Sequence, residues 1–246
     1  PYDSANAPVQ HGSAGGSGSQ YGWTPGGHGG GVVFVKASTY VRLNGGIRAN
    51  GQSKPAAAGN GRCGGGAGGA IYILTGAFQG GSGSLEAKGG DAPASYDGGG
   101  GGGRVAVWRG SDAYGGTNSV AGGFGGSAQG GTMVWGWVPD PRVKPTSQYG
   151  GGFTMKSLVL AGASTNITFD LWNGGSDTNT MQWSLSSDSS WLTLDAASGT
   201  TPTGTVNHLV MTNSAASLGV GVYTGRVTLI ATNATMAGVD PVQRTI

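Results

Sequence analysis

Charge is scarce in this chain. Only 10% of its 246 residues are Asp, Glu, Lys or Arg, against about 25% in ordinary globular proteins. The shortage argues against a solvated disordered tail, which charge repulsion keeps open. Cysteine is scarcer still. The single Cys63 excludes an intrachain disulfide and reads as a small buried residue or a loop thiol, with an intermolecular bridge or a nucleophile as the sharper alternative. No apolar run approaches the ~18 residues of a membrane-spanning helix, so no membrane insertion is expected. One glutamate, Glu86, and three dispersed histidines, His11, His28 and His208, leave little for acid–base work. A hydrolase needs paired carboxylates or a nucleophile with its base, and zinc needs close His or Cys spacings. Neither pattern stands out, Glu86 reads as a solvated side chain, and the expectation is a protein without enzymatic activity.

Glycine is what the chain has in excess: 54 residues, where the usual share is about 7%. It lacks the every-third period of collagen. Residues 1–145 hold 42 of the glycines and residues 146–246 the other 12. Charge divides at the same place. The first part has 10 Lys and Arg against 6 Asp and Glu, and the second has 3 against 5. Neither balance makes the basic stripe that nucleic acid requires. Four divisions follow: an N-terminal arm over 1–28, a glycine-rich β-repeat domain over 29–137, a linker over 138–149 and a β-sandwich over 150–246. The linker reading rests on Pro139, Pro141 and Pro145, which remove backbone donors and stiffen the chain. The first residue, Pro1, suggests a processed or trimmed piece of a longer protein.

Within the glycine-rich part, four segments open on paired glycines and run into short β-branched or aromatic stretches: Gly30-Gly31-VVFVK, Gly68-Gly69-AIYIL, Gly102-Gly103-RVAVW and Gly130-Gly131-TMVWGW. A second motif recurs as Ile47-RANGQ, Leu85-EAKGGD and Val120-AGGFG. Each unit reads as strand, turn, strand and then a glycine-rich excursion. Glycine loses the most entropy on ordering, so the excursions are either flexible surface loops or segments packed too closely for any side chain. Their recurrence in step with the strands favours packing, as extended three-residue-per-turn helices held side by side. The stretch around 29–137 resembles glycine-rich repeats of large secreted bacterial surface proteins, which implies a β-solenoid or a glycine-helix sandwich. It is also similar, more weakly, to glycine-helix sandwiches of some phage adhesins and receptor ectodomains.

The second part alternates in short strands expected at 153–160, 165–172, 180–186, 192–195, 205–212, 221–232 and 241–246. Seven short strands in about 100 residues is the arithmetic of an immunoglobulin-like sandwich. No cysteine pair pins the sheets, so Trp172, Trp183, Trp191 and Leu192 are expected to fill the core. The segments Trp183-Ser184-Leu185-Ser186-Ser187, Trp191-Leu192, Ser198-Gly199-Thr200 and Gly221-Val222-Tyr223-Thr224-Gly225, with Leu171-Trp172-Asn173-Gly174-Gly175 upstream, resemble the BACON-like family of immunoglobulin-fold modules. That resemblance implies an extracellular, non-catalytic, carbohydrate- or mucin-associated module and transfers no sugar site. The whole is thus expected to be all-β.

Few residues single themselves out for chemistry. Asp91 and Asp97 are the best candidates for a structural calcium, although calcium wants more oxygen ligands than two carboxylates. The six glycines at 98–103 lack the Lys-Ser/Thr of a phosphate loop and a βαβ context. No cofactor is expected. Trp108, Trp135 and Trp137 are candidates for an aromatic sugar platform, with capping of a repeat stack as the plainer alternative. Pro1, Tyr2, Val242 and Ile246, at the two ends, are candidates for subunit assembly, because open repeat ends and strand edges invite another chain. The expectation is an extracellular or cell-surface structural protein that self-associates into a homopolymer as a filament, stalk or adhesin subunit. The alternative is a glycan-binding accessory module, and a third reading makes both domains accessory to a catalytic domain elsewhere.

Overall fold

The computed structural model describes residues 3–18, 24–55, 62–92, 97–146 and 154–246. Among these, every regular element is a strand. The chain divides into two compact units, 1–136 and 137–246.

The first unit carries β1 (Val32–Arg42), β2 (Gly46–Arg48), β3 (Ala70–Gly80), β4 (Ser84–Glu86), β5 (Arg104–Tyr114), β6 (Thr117–Ser119) and β7 (Thr132–Trp137), whose last residue is counted with the second unit. They form two sheets, ordered β1-β3-β5-β7 and β2-β4-β6. Pairing is parallel, with Val32 beside Ala70 and Ala70 beside Arg104. The same rung repeats in the backbone: Ala70 N–H donates to Gly31, Arg104 N–H to Gly69 and Thr132 N–H to Gly103. Each paired-glycine motif therefore ends where a strand begins. In the short sheet, Ile47 lies beside Leu85 and Leu85 beside Asn118. The third member is Asn118, two residues earlier than the Val120 expected from the sequence. The core consists of Ile71, Ile73, Phe78, Val105 and Val107 from the long sheet, with Leu43, Ala49, Leu85 and Ala87. β3 is buried along its whole Ala-Ile-Tyr-Ile-Leu start, as an inner strand of a parallel sheet is.

The glycine runs are ordered by backbone alone. Six consecutive N–H groups donate in rotation: Gly64 to Gly16, Gly65 to Gly98, Gly66 to Gln52, Ala67 to Ser13, Gly68 to Gly101 and Gly69 to Ala49, all at 2.7–2.9 Å. Each neighbour is met twice, three residues apart. A backbone that turns its donors to a new side every residue and returns after three has threefold helical symmetry. At many of its glycines no side chain would fit. A Cβ on Gly66 would land on the His28 carbonyl, and one on Gly65 on the Gly90 carbonyl.

The expected N-terminal arm is part of this layer. Gly12 N–H donates to Gly30, Gly15 N–H to Gly27, and Gly27 N–H to Gly64. This segment has few apolar side chains, and its backbone is the packing surface.

The second unit contains β8 (Pro141–Pro145), β9 (Ser164–Asn173), β10 (Met181–Ser187), β11 (Leu192–Leu194), β12 (Ser198–Thr201), β13 (Val206–Ser214), β14 (Val227–Thr232) and β15 (Val242–Thr245). Two antiparallel sheets, β11-β13-β9-β8 and β12-β10-β14-β15, enclose Phe169, Leu171, Met181, Trp183, Leu209, Met211 and Leu229. Seven of the eight strands follow the ABED and CFG layout of immunoglobulin-like sandwiches, and β12 adds an edge strand beside β10. The expected linker is corrected here, because its centre is β8, hydrogen-bonded to β9. Pro141 and Pro145 are the two ends of this edge strand and Pro139 precedes it, so the missing donors cost no ladder bond. Two expected strands are absent or shortened. Residues 154–160 form no strand, and of 221–232 only Val227–Thr232 does. β12 covers Ser198-Gly199-Thr200, outside the seven expected strands.

Candidate functional site

β5 places a charged pair where an apolar strand run ends. Arg109 is buried, and its Nε and Nη2 each approach Asp112 Oδ2 at 2.8 Å while Nη1 donates to Gly136 O at 2.8 Å. The Trp135 indole donates to the same Asp112 oxygen at 2.8 Å, and the Arg109 guanidinium lies 4.7 Å from the Trp135 ring centroid. Phe78 and Tyr114 close the cluster with ring centroids 4.7 Å apart, each within 5.9 Å of Trp135. Tyr114 Oη donates towards Gly83 O and Thr117 O. Burial alone would raise the Asp112 carboxyl, but donors from Tyr114 N–H, Trp135 and Arg109 hold it below the usual carboxylate range. Burial raises the Tyr114 hydroxyl. Every polar group here faces another within the unit, so the cluster locks β5, β7 and the following turn together. In the sequence its only signal is Arg109 interrupting Val-Ala-Val-Trp.

Two of the three candidate tryptophans have indoles committed to internal contacts. Trp108 is only 2% exposed and donates to Asn6 O at 2.8 Å. Gly136 leaves room for its ring, since a Cβ there would touch the indole. Trp135 is committed to Asp112 and Arg109. The Trp137 carbonyl accepts from Asn233 Nδ2 at 3.1 Å, and Asn233 also donates to buried Asp177 at 2.6 Å. Trp135 and Trp137 are two residues apart on β7 and so share a face by strand alternation, but alternation carries no information on what that face meets.

Asp91 and Asp97 serve separate structural roles. Asp91 Oδ1 accepts from Phe124 N–H at 2.7 Å. The Asp97 side chain is wholly buried, and its Oδ2 pairs with Lys54 Nζ at 2.7 Å. Its Oδ1 has no hydrogen-bond partner, but the ammonium beside it repels a cation. No group of three His, Cys, Asp or Glu side chains gathers among the described residues. A calcium therefore does not fit these two residues. Glu86, read as solvated, is held by the Asn50 amide at 3.1 Å and by Lys88 at 3.1 Å. The Asn50 bond, then Lys88 and Arg48, keep its carboxyl low. Cys63 is buried. His208 and Asp170 pair at 2.7 Å on the surface, directly opposite each other on β13 and β9, and among the described residues no serine or cysteine bonds to that histidine.

Of the assembly candidates, Pro1 and Tyr2 lie outside the described residues. Val242 is half-buried on β15, and Ile246 packs against the sandwich core. The sequence missed the longest open edge. β1 ends the order β1-β3-β5-β7, is 11 residues long and exposes Val32, Phe34 and Tyr40. Phe34 stacks on Tyr72 at 5.0 Å. No helix among the described residues is long and apolar enough to cross a membrane.

No family model matches the chain, and no curated protein matches it. Among solved structures, it is similar to the ASH/PapD-like domain of human CEP192 (PapD-like domain 7), at 14% identity over 44% of this chain and 80% of that one, with a TM-score of 0.32.

Proposed function

We propose that this chain is an extracellular structural subunit that builds a surface filament, stalk or adhesin by packing against copies of itself. In this reading the first unit is a glycine-helix sandwich, a stack of repeats, and the second is a BACON-like immunoglobulin-fold module. The observation that carries it is the parallel sheet with β1 at one end and β7 at the other. A stack with two different ends joins head to tail, and such contacts propagate. The long apolar edge of β1 is the kind of surface that another chain covers. Backbone bonding in the glycine runs supports the structural role, because it leaves those segments rigid. The polar groups described above hold one another within the units. The glycan-binding alternative loses Trp108 and Trp135 to internal contacts.

Light scattering across a wide concentration range, with negative-stain imaging, tests the reading. Growth of the assembly with concentration, and its loss in a Phe34→Lys, Tyr40→Lys double variant, are expected. A monomer at every concentration overturns it.

A further inference from the structure

Two lysines among the described residues form ion pairs with carboxylates. Lys88 meets Glu86 in the open, with 41% of its side chain exposed. Lys54 meets Asp97 in the interior: Nζ lies 2.7 Å from Oδ2, and the side chains are 8% and 0% exposed. Arg109 is buried too, beside Asp112, but a guanidinium does not give up its proton in a protein. A lysine amine does so readily once desolvated. Asp97 Oδ1 is buried without a hydrogen-bond partner. A buried ion pair that leaves one oxygen of its anion unsatisfied is expensive. Backbone bonds hold both residues in place. Lys54 N–H donates to Asp91 O at 2.7 Å, and Gly98 O, next to Asp97, accepts from Gly65 N–H at 2.9 Å. A cavity of about 400 Å³ has Asp97 in its lining, with Gly16, Ser17, Arg62 and Cys63.

We propose that Lys54 and Asp97 condense to an amide, a covalent cross-link that the folded chain makes on itself. One proton passes from the Lys54 ammonium to Asp97 Oδ2, which leaves an uncharged amine facing an uncharged acid. The Nζ lone pair then attacks Cγ and the N–C bond forms. A second proton moves from nitrogen to the Oδ2 hydroxyl, the C–O bond breaks, and one water leaves toward the cavity. The third proton stays on the amide nitrogen. Nothing is oxidised or reduced, so no co-reactant is needed. Oδ1, the oxygen without a partner, becomes the carbonyl oxygen of a neutral amide. Condensation thus removes two charges that are costly to bury. Holding amine and carboxyl in contact supplies the orientation that free groups in water lack. The product ties the segment after β2 to the glycine run that leads into β5. It closes a loop between positions 43 apart, and such a link stabilises by restricting the unfolded chain.

The inference goes beyond the assembly reading, and peptide mapping by mass spectrometry tests it whatever the state of assembly. Trypsin should release residues 49–62 and 89–104 as one branched species, lighter than the two peptides together by one water. Fragmentation should place the junction on Lys54 and Asp97. The Lys54→Arg variant keeps the charge pair and should give the two segments separately at full mass. If that variant does not fold, the map of the unaltered chain decides alone. Synthetic peptides of the same two sequences, mixed in buffer, should not join; joining there would take the reaction away from the fold. Separate, full-mass peptides from the unaltered chain would overturn the proposal. So would a junction at Asp91, or a water lost within 89–104 alone, as when Asp97-Gly98 closes to a cyclic imide. None of these results depends on whether β1 drives assembly.

Discussion

The two units solve the same problem with opposite materials. In the sandwich, large side chains such as Phe169, Leu171 and Leu229 fill the space between sheets, and the strands stay at side-chain distance. In the glycine layer the absence of side chains lets backbones touch, and hydrogen bonds that rotate among three neighbours replace hydrophobic burial. The sandwich is therefore sensitive to what is taken away, and the layer to what is added.

Substitutions can break that comparison. The largest effect is expected for Gly66→Ala. One methyl placed on the His28 carbonyl, flanked by backbone that cannot swing aside, should cost at least about 4 kcal/mol, beyond ordinary overpacking, and abolish the cooperative melting of the first unit in calorimetry. Leu229→Ala in the second unit removes a buried side chain and should cost about 3 kcal/mol, lowering its transition while leaving the first unit's in place. Asp112→Asn leaves the buried Arg109 without its counter-charge and should destabilise the first unit by about 2 kcal/mol in chemical denaturation. The smallest effect belongs to Gly31→Ala. Nothing lies near its absent Cβ, so a change below about 1 kcal/mol, of either sign, is expected. Equal losses at Gly66 and Gly31 would remove the distinction between packed and open glycines.

Acid sharpens the comparison further. The Asp112 and Glu86 carboxyls are held low in the folded first unit. Their contribution is complete above the unfolded carboxylate range near pH 4 and is lost as pH falls through the lower folded values. The first unit's melting temperature should fall in that window, and Asp112→Asn should flatten the slope. An unchanged slope in that variant would assign the acid response to other groups.

The paired glycines marked where each long strand starts, because in each pair at least one member, such as Gly30, Gly69, Gly103 or Gly131, lies too close to neighbouring backbone for a Cβ. β13 and β15 were legible from alternation. Other features were hidden for physical reasons. β8 was masked by prolines that an edge strand tolerates. The N-terminal segment has no apolar pattern because it packs by backbone. Hydrophobic periodicity says that a residue is buried but not what it meets, so Trp108 and Trp135 were open to a sugar and turned out to hold Asn6 and Asp112. Residues 154–160 and 221–226 alternate as strands do, yet neither stretch joins a sheet.

The long strands of the first unit begin 38, 34 and 28 residues apart, at Val32, Ala70, Arg104 and Thr132, yet their rungs stay aligned. The sheet does not measure the chain that returns between rungs. Ten residues added to the shortest passage, at exposed Ser127, would only match the longest, and doubling a loop costs about 0.6 kcal/mol. The fold is thus a ready display scaffold: foreign peptides grafted at that bend should be carried outward while the rungs beneath stay in place.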